Sequence, residues 1–221
     1  MAIPNYTPKH PNDIVFDSDQ TRDLVMDLIS GQRAFPAYGC NGIVLYGSYG
    51  TGKSTLSALL PDAIEQARGG HYANARIEKI SAENGGADLV TSLKCEAETI
   101  PFGQYRYFVL DEADLLSNPA KRSMKNLMDI AGTVWVFCTN DLSGIDGGVK
   151  DRSHLIAFNA APAHRWLPLA RRIVTDLGVP DLTDATLENL IAVQSGSARK
   201  IVNTVVELAQ TVRVDRGLPR L

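Results

Sequence analysis

Apolar residues in the first two thirds of the chain gather into short compact runs, separated by stretches where they recur at helical spacing. "NGIVLYG", "RIEKIS", "YRYFVLDE", "GTVWVFCTN" and "HLIAFN" read as strands. Val109–Leu110 and Val134–Phe137 are apolar at consecutive positions, which predicts strands buried on both faces. Between the strands lie helical patterns. "SDQTRDLVMDLISG" opens on Ser and Asp cap candidates, repeats Leu24, Val25, Leu28 and Ile29, and stops at Gly31. Further helices are predicted from Lys53 onward, around Ala87–Cys95, and over "NPAKRSMKNLMDIAG". The last should have Asn118 as N-cap, Pro119 in its first turn and Gly132 beyond its end.

Strands alternating with helices call for a mostly parallel sheet covered on both faces. After about Asn159 the strand signals stop. "APAHRWLPLARRIVTDLGV", "LTDATLENLIAVQSG" and "SARKIVNTVVELAQTVRV" read as three helices, with Gly178 and Gly196 between them. Pro168 is expected to kink or break the first. The pattern predicts an α/β domain over 1–159, a hinge at "NAAPA" and a helical domain over 160–221.

Composition narrows the class only a little. The N-terminus lacks the basic region and apolar core of a signal peptide. No apolar run approaches the ~20 residues of a membrane helix. Cys40, Cys95 and Cys138 lie far apart and form no CxxC pair, which argues against zinc and a disulfide framework. A cytoplasmic protein is expected. The net charge of −3 gives no global basic signature, so any nucleic acid would meet a local surface.

The candidate chemistry begins at "GSYGTGKST", residues 47–55, which fits GxxxxGK[ST] between a strand and a helix. Gly47, Gly50 and Gly52 let backbone N–H groups of the loop, through Ser48, Tyr49 and Thr51, turn toward phosphate oxygens. Lys53 supplies a point charge for the β and γ phosphates, Ser54 a hydroxyl for Mg2+, and Thr55 follows on the helix. "YFVLDEAD" ends a strand on Asp111–Glu112, at the sheet edge where open α/β sheets bind ligands. Asp111 suits the Mg2+ ion; Glu112 suits orienting or deprotonating the attacking water. Asn140, at the end of "VWVFCTN", could hydrogen-bond the γ-phosphate or that water. ATP and Mg2+ are the cofactors implied.

In this order the motifs resemble those of the AAA+ ATPases, and among them the clamp-loader subunits of the replication factor C and phage types. The resemblance covers nearly the whole chain and implies a P-loop NTPase domain followed by a small three-helix lid. "YTPKHPNDIV", ending at Val15, resembles the loader N-terminal box that packs near the adenine. "SGSARKIVN" is similar to the second sensor, with Arg199 beginning the last lid helix. "KDRSHLIAF" matches the loader "SRC" segment, here Asp151–Arg152–Ser153, and Thr7 stands where an arginine is usual. The resemblance makes Arg152 an arginine finger for a neighbouring subunit's γ-phosphate. The alternative is a surface arginine paired with Asp151. Loaders also carry a C-terminal collar, for which a sequence ending at Leu221 leaves no room.

One chain holding both acid pair and finger implies identical copies joined head to tail in a ring or spiral. Lys121, Arg122 and Lys125 lie on the helix that in loaders tracks DNA, and the amides near "SAENGG" could add phosphate contacts. The expected function is a clamp-loader-like, homo-oligomeric ATPase of DNA replication, with DNA and a sliding clamp or another protein cargo as partners. A helicase or transposase cargo, and a nucleotide-gated assembly switch with little hydrolysis, are the alternatives.

Overall fold

The computed structural model describes residues 4–218. Five strands, β1 (Gly42–Tyr46), β2 (Asn74–Lys79), β3 (Arg106–Asp111), β4 (Thr133–Thr139) and β5 (Ser153–Ala157), form one sheet in the order β2-β3-β4-β1-β5. Every pairing is parallel. Parallel neighbours need crossovers. Here these are α2 (Lys53–Ala67), α3 (Ala87–Ala97), α4 (Asn118–Met128) and the short α5 (Gly147–Asp151), with α1 (Asp19–Ser30) preceding β1.

Alternation along the strands sends their side chains to two cores. On one face Val44, Phe108, Leu110, Trp135 and Phe137 pack with Leu89 and Leu93 of α3 and Ala120, Met124 and Leu127 of α4. Phe108 stacks on Trp135 at 4.3 Å between ring centroids. The intervening residues Ile43, Leu45, Tyr107, Val109, Val134 and Val136 are equally buried, as the continuous apolar runs predict. Glu65 of α2 is buried with them. It accepts hydrogen bonds from Tyr107 Oη at 2.8 Å and Gln104 N at 2.6 Å. Burial, and then that carboxylate, push the Tyr107 phenol well above its ordinary range.

Two sequence expectations are corrected. The N-cap of α4 is Ser117, whose hydroxyl accepts from Ala120 N, rather than Asn118, which is the first helical residue. Pro168 breaks nothing: α6 runs from Ala163 to Asp176 through it. The α2 helix likewise continues through Pro61. A proline removes one N–H bond from a helix, and in each of these the flanking turns keep the helix going.

The chain divides into two compact units. One is Asp19–Gly47 with Lys53–Phe158, the sheet and its helices. The other joins the segment up to Ser18, Ser48–Gly52 and the chain from Asn159 on. Its core unites Trp166, Ala170, Ile173 and Leu177 of α6 and the turn after it with Leu187 and Ile191 of α7 (Asp184–Ala192) and Ile201 and Val205 of α8 (Ala198–Asp215). Tyr6 joins this core, with the Arg172 guanidinium 5.9 Å from its ring centroid. Thr183 caps α7 by accepting from Thr186 N. Among the described residues no helix is long and apolar enough to cross a membrane.

Trp135 is the largest fully buried side chain and stacks between Phe108 and Phe137. Trp135→Ala is expected to lower the unfolding free energy by ~3–5 kcal/mol, read from the midpoint of a urea titration.

Candidate functional site

Three parallel strands bring the predicted polar residues to one edge of the sheet. Because β3, β4 and β1 are neighbours, Asp111 at the end of β3, Asn140 just beyond β4 and Gly47 just beyond β1 all leave the sheet at its C-terminal edge. Ligands of open α/β sheets bind at this edge.

The loop after β1 has to be glycine where it turns. Gly47 has φ +144°, and a Cβ there would come within 2.5 Å of Phe158 O. Gly50 has φ +78°, and a Cβ there would lie 2.8 Å from Ser197 Oγ. The Gly50 carbonyl accepts from Ala198 N at 2.8 Å, at the start of α8. Thr51 is buried and donates from its hydroxyl to Ser48 O at 3.1 Å. Ser48 and Tyr49 face solvent, as does Ser54, whereas Thr55 is half-buried.

Lys53 opens α2 with only 6% of the residue exposed. Its Nζ donates to Gly47 O and to Asn140 Oδ1, each at 2.9 Å. Burial pulls the ammonium below the usual lysine range, opposed by the Asp111 and Asp114 carboxylates nearby. Cys138 is itself buried, and its thiol is pushed up to about 12 by that burial, so it stays protonated and inert. Asp111 Oδ1 accepts from Glu112 N at 3.1 Å.

Glu112 adopts a left-handed backbone, φ 57° and ψ 40°. For a residue other than glycine this costs about 1–2 kcal/mol, and such strain gathers at functional sites. The turn re-aims the chain, and the Glu112 carboxylate lies 3.3 Å from Lys79 Nζ. Thr139 donates to Asp114 Oδ1 at 2.7 Å and accepts from Asp141 N at 3.0 Å, fixing the turn that carries Asn140.

Arg152 lies elsewhere. It caps α5 immediately before β5, and its carbonyl accepts from Asn41 N and Gly42 N at the beginning of β1. It therefore sits at the N-terminal edge of the sheet, a strand length of ~16 Å from Gly47. Its partner is Asp129 rather than Asp151: Nε donates to Asp129 Oδ1 at 2.9 Å and Nη1 to Gly148 O at 3.2 Å. Lys121, Arg122 and Lys125 share one side of α4, at i, i+1 and i+4. Arg122 and Lys125 are exposed; Lys121 is half-buried and faces the Asp141 carboxylate. Gly86, at the head of α3 beside "SAENGG", caps it without a side-chain bond. In the other unit Val15 is half-buried against the helical core, and Arg199, second residue of α8, is exposed and forms no ion pair among the described residues.

Sequence reasoning missed Lys79, Asp114, Thr139 and Asp129. Lys79 lies inside the predicted strand "RIEKIS", ends β2 in the structure and pairs in register with Asp111, but register is invisible in a single sequence. "DEAD" and "CTN" contain Asp114 and Thr139, and their mutual hydrogen bond follows only from β3 and β4 being neighbours.

The chain matches no protein-family model. It is 27% identical over 174 residues to replication factor C small subunit 2 of Pyrobaculum islandicum, covering 76% of this chain and 53% of that protein. To replication factor C subunit 2 of Arabidopsis thaliana it is 25% identical over 210 residues, covering 92% and 60%. The chain thus spans about half the length of the curated relatives it matches. Among solved structures, the RuvB Holliday junction branch migration motor of Thermotoga maritima superposes with TM-score 0.64 at 14% identity, covering 97% of this chain and 68% of that one. A DNA polymerase III gamma subunit-related protein of the same organism gives 0.58 at 14% identity, covering 85% and 57%. The fold is that of the AAA+ P-loop proteins. In sequence the chain is similar to replication factor C small subunits.

A buried ammonium at the positive end of a helix carries a desolvation cost, which the Gly47 and Asn140 oxygens offset in part. Below its depressed folded pKa, Lys53 is charged and its desolvation weakens the fold; the penalty fades as pH climbs toward the lysine range. Lys53→Met should therefore unfold at neutral pH no more easily than wild type, and should lose that alkaline gain. If the loop holds a nucleotide, as proposed below, the same change should lower ATP affinity ~10–100-fold. Denaturant titrations at two pH values and a fluorescent-nucleotide titration check both.

Proposed function

We propose that the chain is an ATP-hydrolysing, clamp-loader-like subunit that works on DNA as a head-to-tail homo-oligomer. The single observation that carries this reading is the separation of its polar groups. Phosphate loop and acid pair occupy one edge of the sheet, while Arg152 occupies the other, out of reach of its own loop. A second copy would bring the missing cation.

In this reading 1–159 is the nucleotide-binding domain and 160–221 the lid. Backbone N–H groups of Gly47 through Gly52 and the Lys53 ammonium hold the β and γ phosphates. The residues fit that group: the glycines have the backbone an inward-turned loop requires, and Lys53 places a buried ammonium beside it. Ser54 and Asp111 would hold Mg2+, which when bound supplies neutralisation across the phosphates. Among the described residues no cluster of three or more His, Cys, Asp or Glu could hold a metal alone, and Mg2+ usually keeps waters and phosphate oxygens as ligands.

Glu112 takes the proton of the attacking water once its carboxylate is released from Lys79. Asn140, now bonded to Lys53, orients that water or the γ-phosphate. Val15 beside the adenine and Arg199 as the lid's phosphate sensor keep the roles that the resemblance implies. Arg152 in trans adds a charged, bidentate donor to the transition state.

Three features support the partners. Lys121, Arg122 and Lys125 form one basic stripe on α4, and two of the structurally similar proteins carry DNA transactions in their names. Ile100 is 90% and Phe102 98% exposed in the turn before β3, an apolar pair that a protein cargo such as a sliding clamp would cover. A cytoplasmic setting accords with the three free cysteines. A helicase or transposase cargo would use the same engine.

ATPase turnover per subunit should rise with protein concentration. Arg152→Ala should lower it ~10³-fold or more while nucleotide affinity changes little. Equal turnover at dilute and concentrated protein would sink the trans reading, and single-turnover kinetics without phosphate release would favour a non-hydrolysing switch. Single-stranded or primed DNA should stimulate hydrolysis at low salt and lose that effect as salt rises. Replacing Arg122 and Lys125 by alanine together should flatten the salt dependence. No binding at low salt would remove DNA from the function.

A further inference from the structure

Arg152 is mounted more firmly than an exposed arginine needs for solubility. Its peptide is pinned to β1 through Asn41 N and Gly42 N, at 3.1 and 2.9 Å. The same Asn41 reaches with Nδ2 to Met128 O at 2.7 Å and Thr133 O at 3.1 Å, and its carbonyl accepts from Trp135 N. One asparagine thus joins the end of α4, the start of β4 and the backbone of Arg152. Asp129, the C-cap of α4, follows Met128 directly and so stands at a fixed place beside the arginine.

The side-chain contacts are one-sided. Nε–H goes to Asp129 Oδ1 and an Nη1–H to Gly148 O, which uses two of the five guanidinium donors. Nη2 meets no partner among the described residues. The side chains of Arg152 and Asp129 remain 28% and 57% exposed, and an exposed pair of this kind contributes little to stability. Its effect is on direction instead.

We propose that Asp129 is a positioning residue: it grips the Arg152 guanidinium by one edge and leaves the Nη2 edge turned out for a phosphate presented by a second copy of the chain. This rests on the trans reading of Arg152 given above. A free arginine must be ordered as contact forms, whereas one already held loses less on meeting its target. Misplacement of a catalytic group by about 1 Å can cost 10²-fold in rate. The opposite design, an acid that sequesters the arginine until assembly, predicts the opposite sign.

The test is a mutant cycle on the full chain at concentrations where turnover per subunit has levelled off. Asp129→Ala should lower kcat about 10–100-fold with the ATP KM within about twofold. Asp129→Asn, which keeps an oxygen for Nε, should recover most of the rate. In an Arg152→Ala background neither change should alter the residual rate. A rate for Asp129→Ala at or above wild type, or a full further loss in the Arg152→Ala background, would overturn the proposal. If Arg152→Ala itself leaves kcat unchanged, the trans reading fails and this role with it. A loss in Arg152→Ala with none in Asp129→Ala removes Asp129 alone.

Discussion

Lys53 carries a positive charge into a place where almost none of it meets water, at the end of a helix whose dipole is also positive. Much of the neighbouring geometry answers that single problem. The loop after β1 turns its Gly47 carbonyl back onto the ammonium, and β4 ends so that Asn140 lends an amide oxygen. The carboxylates of Asp111, which ends β3, and of Asp114, just beyond it, oppose the loss of the lysine's proton that burial favours. A buried ammonium so placed favours an anion beside it, which is what the proposed reading asks of this loop.

Most of the fold was legible because its signals are local. Val134–Phe137 announced a strand buried on both faces, and the buried run of β4 bears that out. "SDQTRDLVMDLISG" marked both ends of α1. What failed did so through competition between nearly equivalent local choices. Ser117 and Asn118 are both good caps, and the proline at 119 is compatible with either. The structure chose Ser117, which leaves Asn118 and Pro119 in the first turn. Pro168 was read by its missing N–H alone, whereas Trp166, Ala170 and Ile173 bury one face of the helix across it. Tertiary burial outweighed the local defect.

The site divides along the same line. Its loop was legible because nine consecutive residues spell it. The ion pairs Lys79–Glu112 and Arg152–Asp129 were not, because each joins residues from different crossovers whose proximity is set by strand order. Asp151 was the sequence neighbour of Arg152, but the turn of α5 puts Asp129 there in space. Sequence adjacency is a poor guide at helix ends, where one residue rotates the side chain by ~100°.

Gly50 also ties the loop down at a second point. Its carbonyl is the acceptor for Ala198 N, so the tip of the loop is tethered to the first turn of the eighteen-residue α8. A bond between two main-chain atoms depends on no particular side chain, so at position 198 only proline, which has no N–H, would remove it.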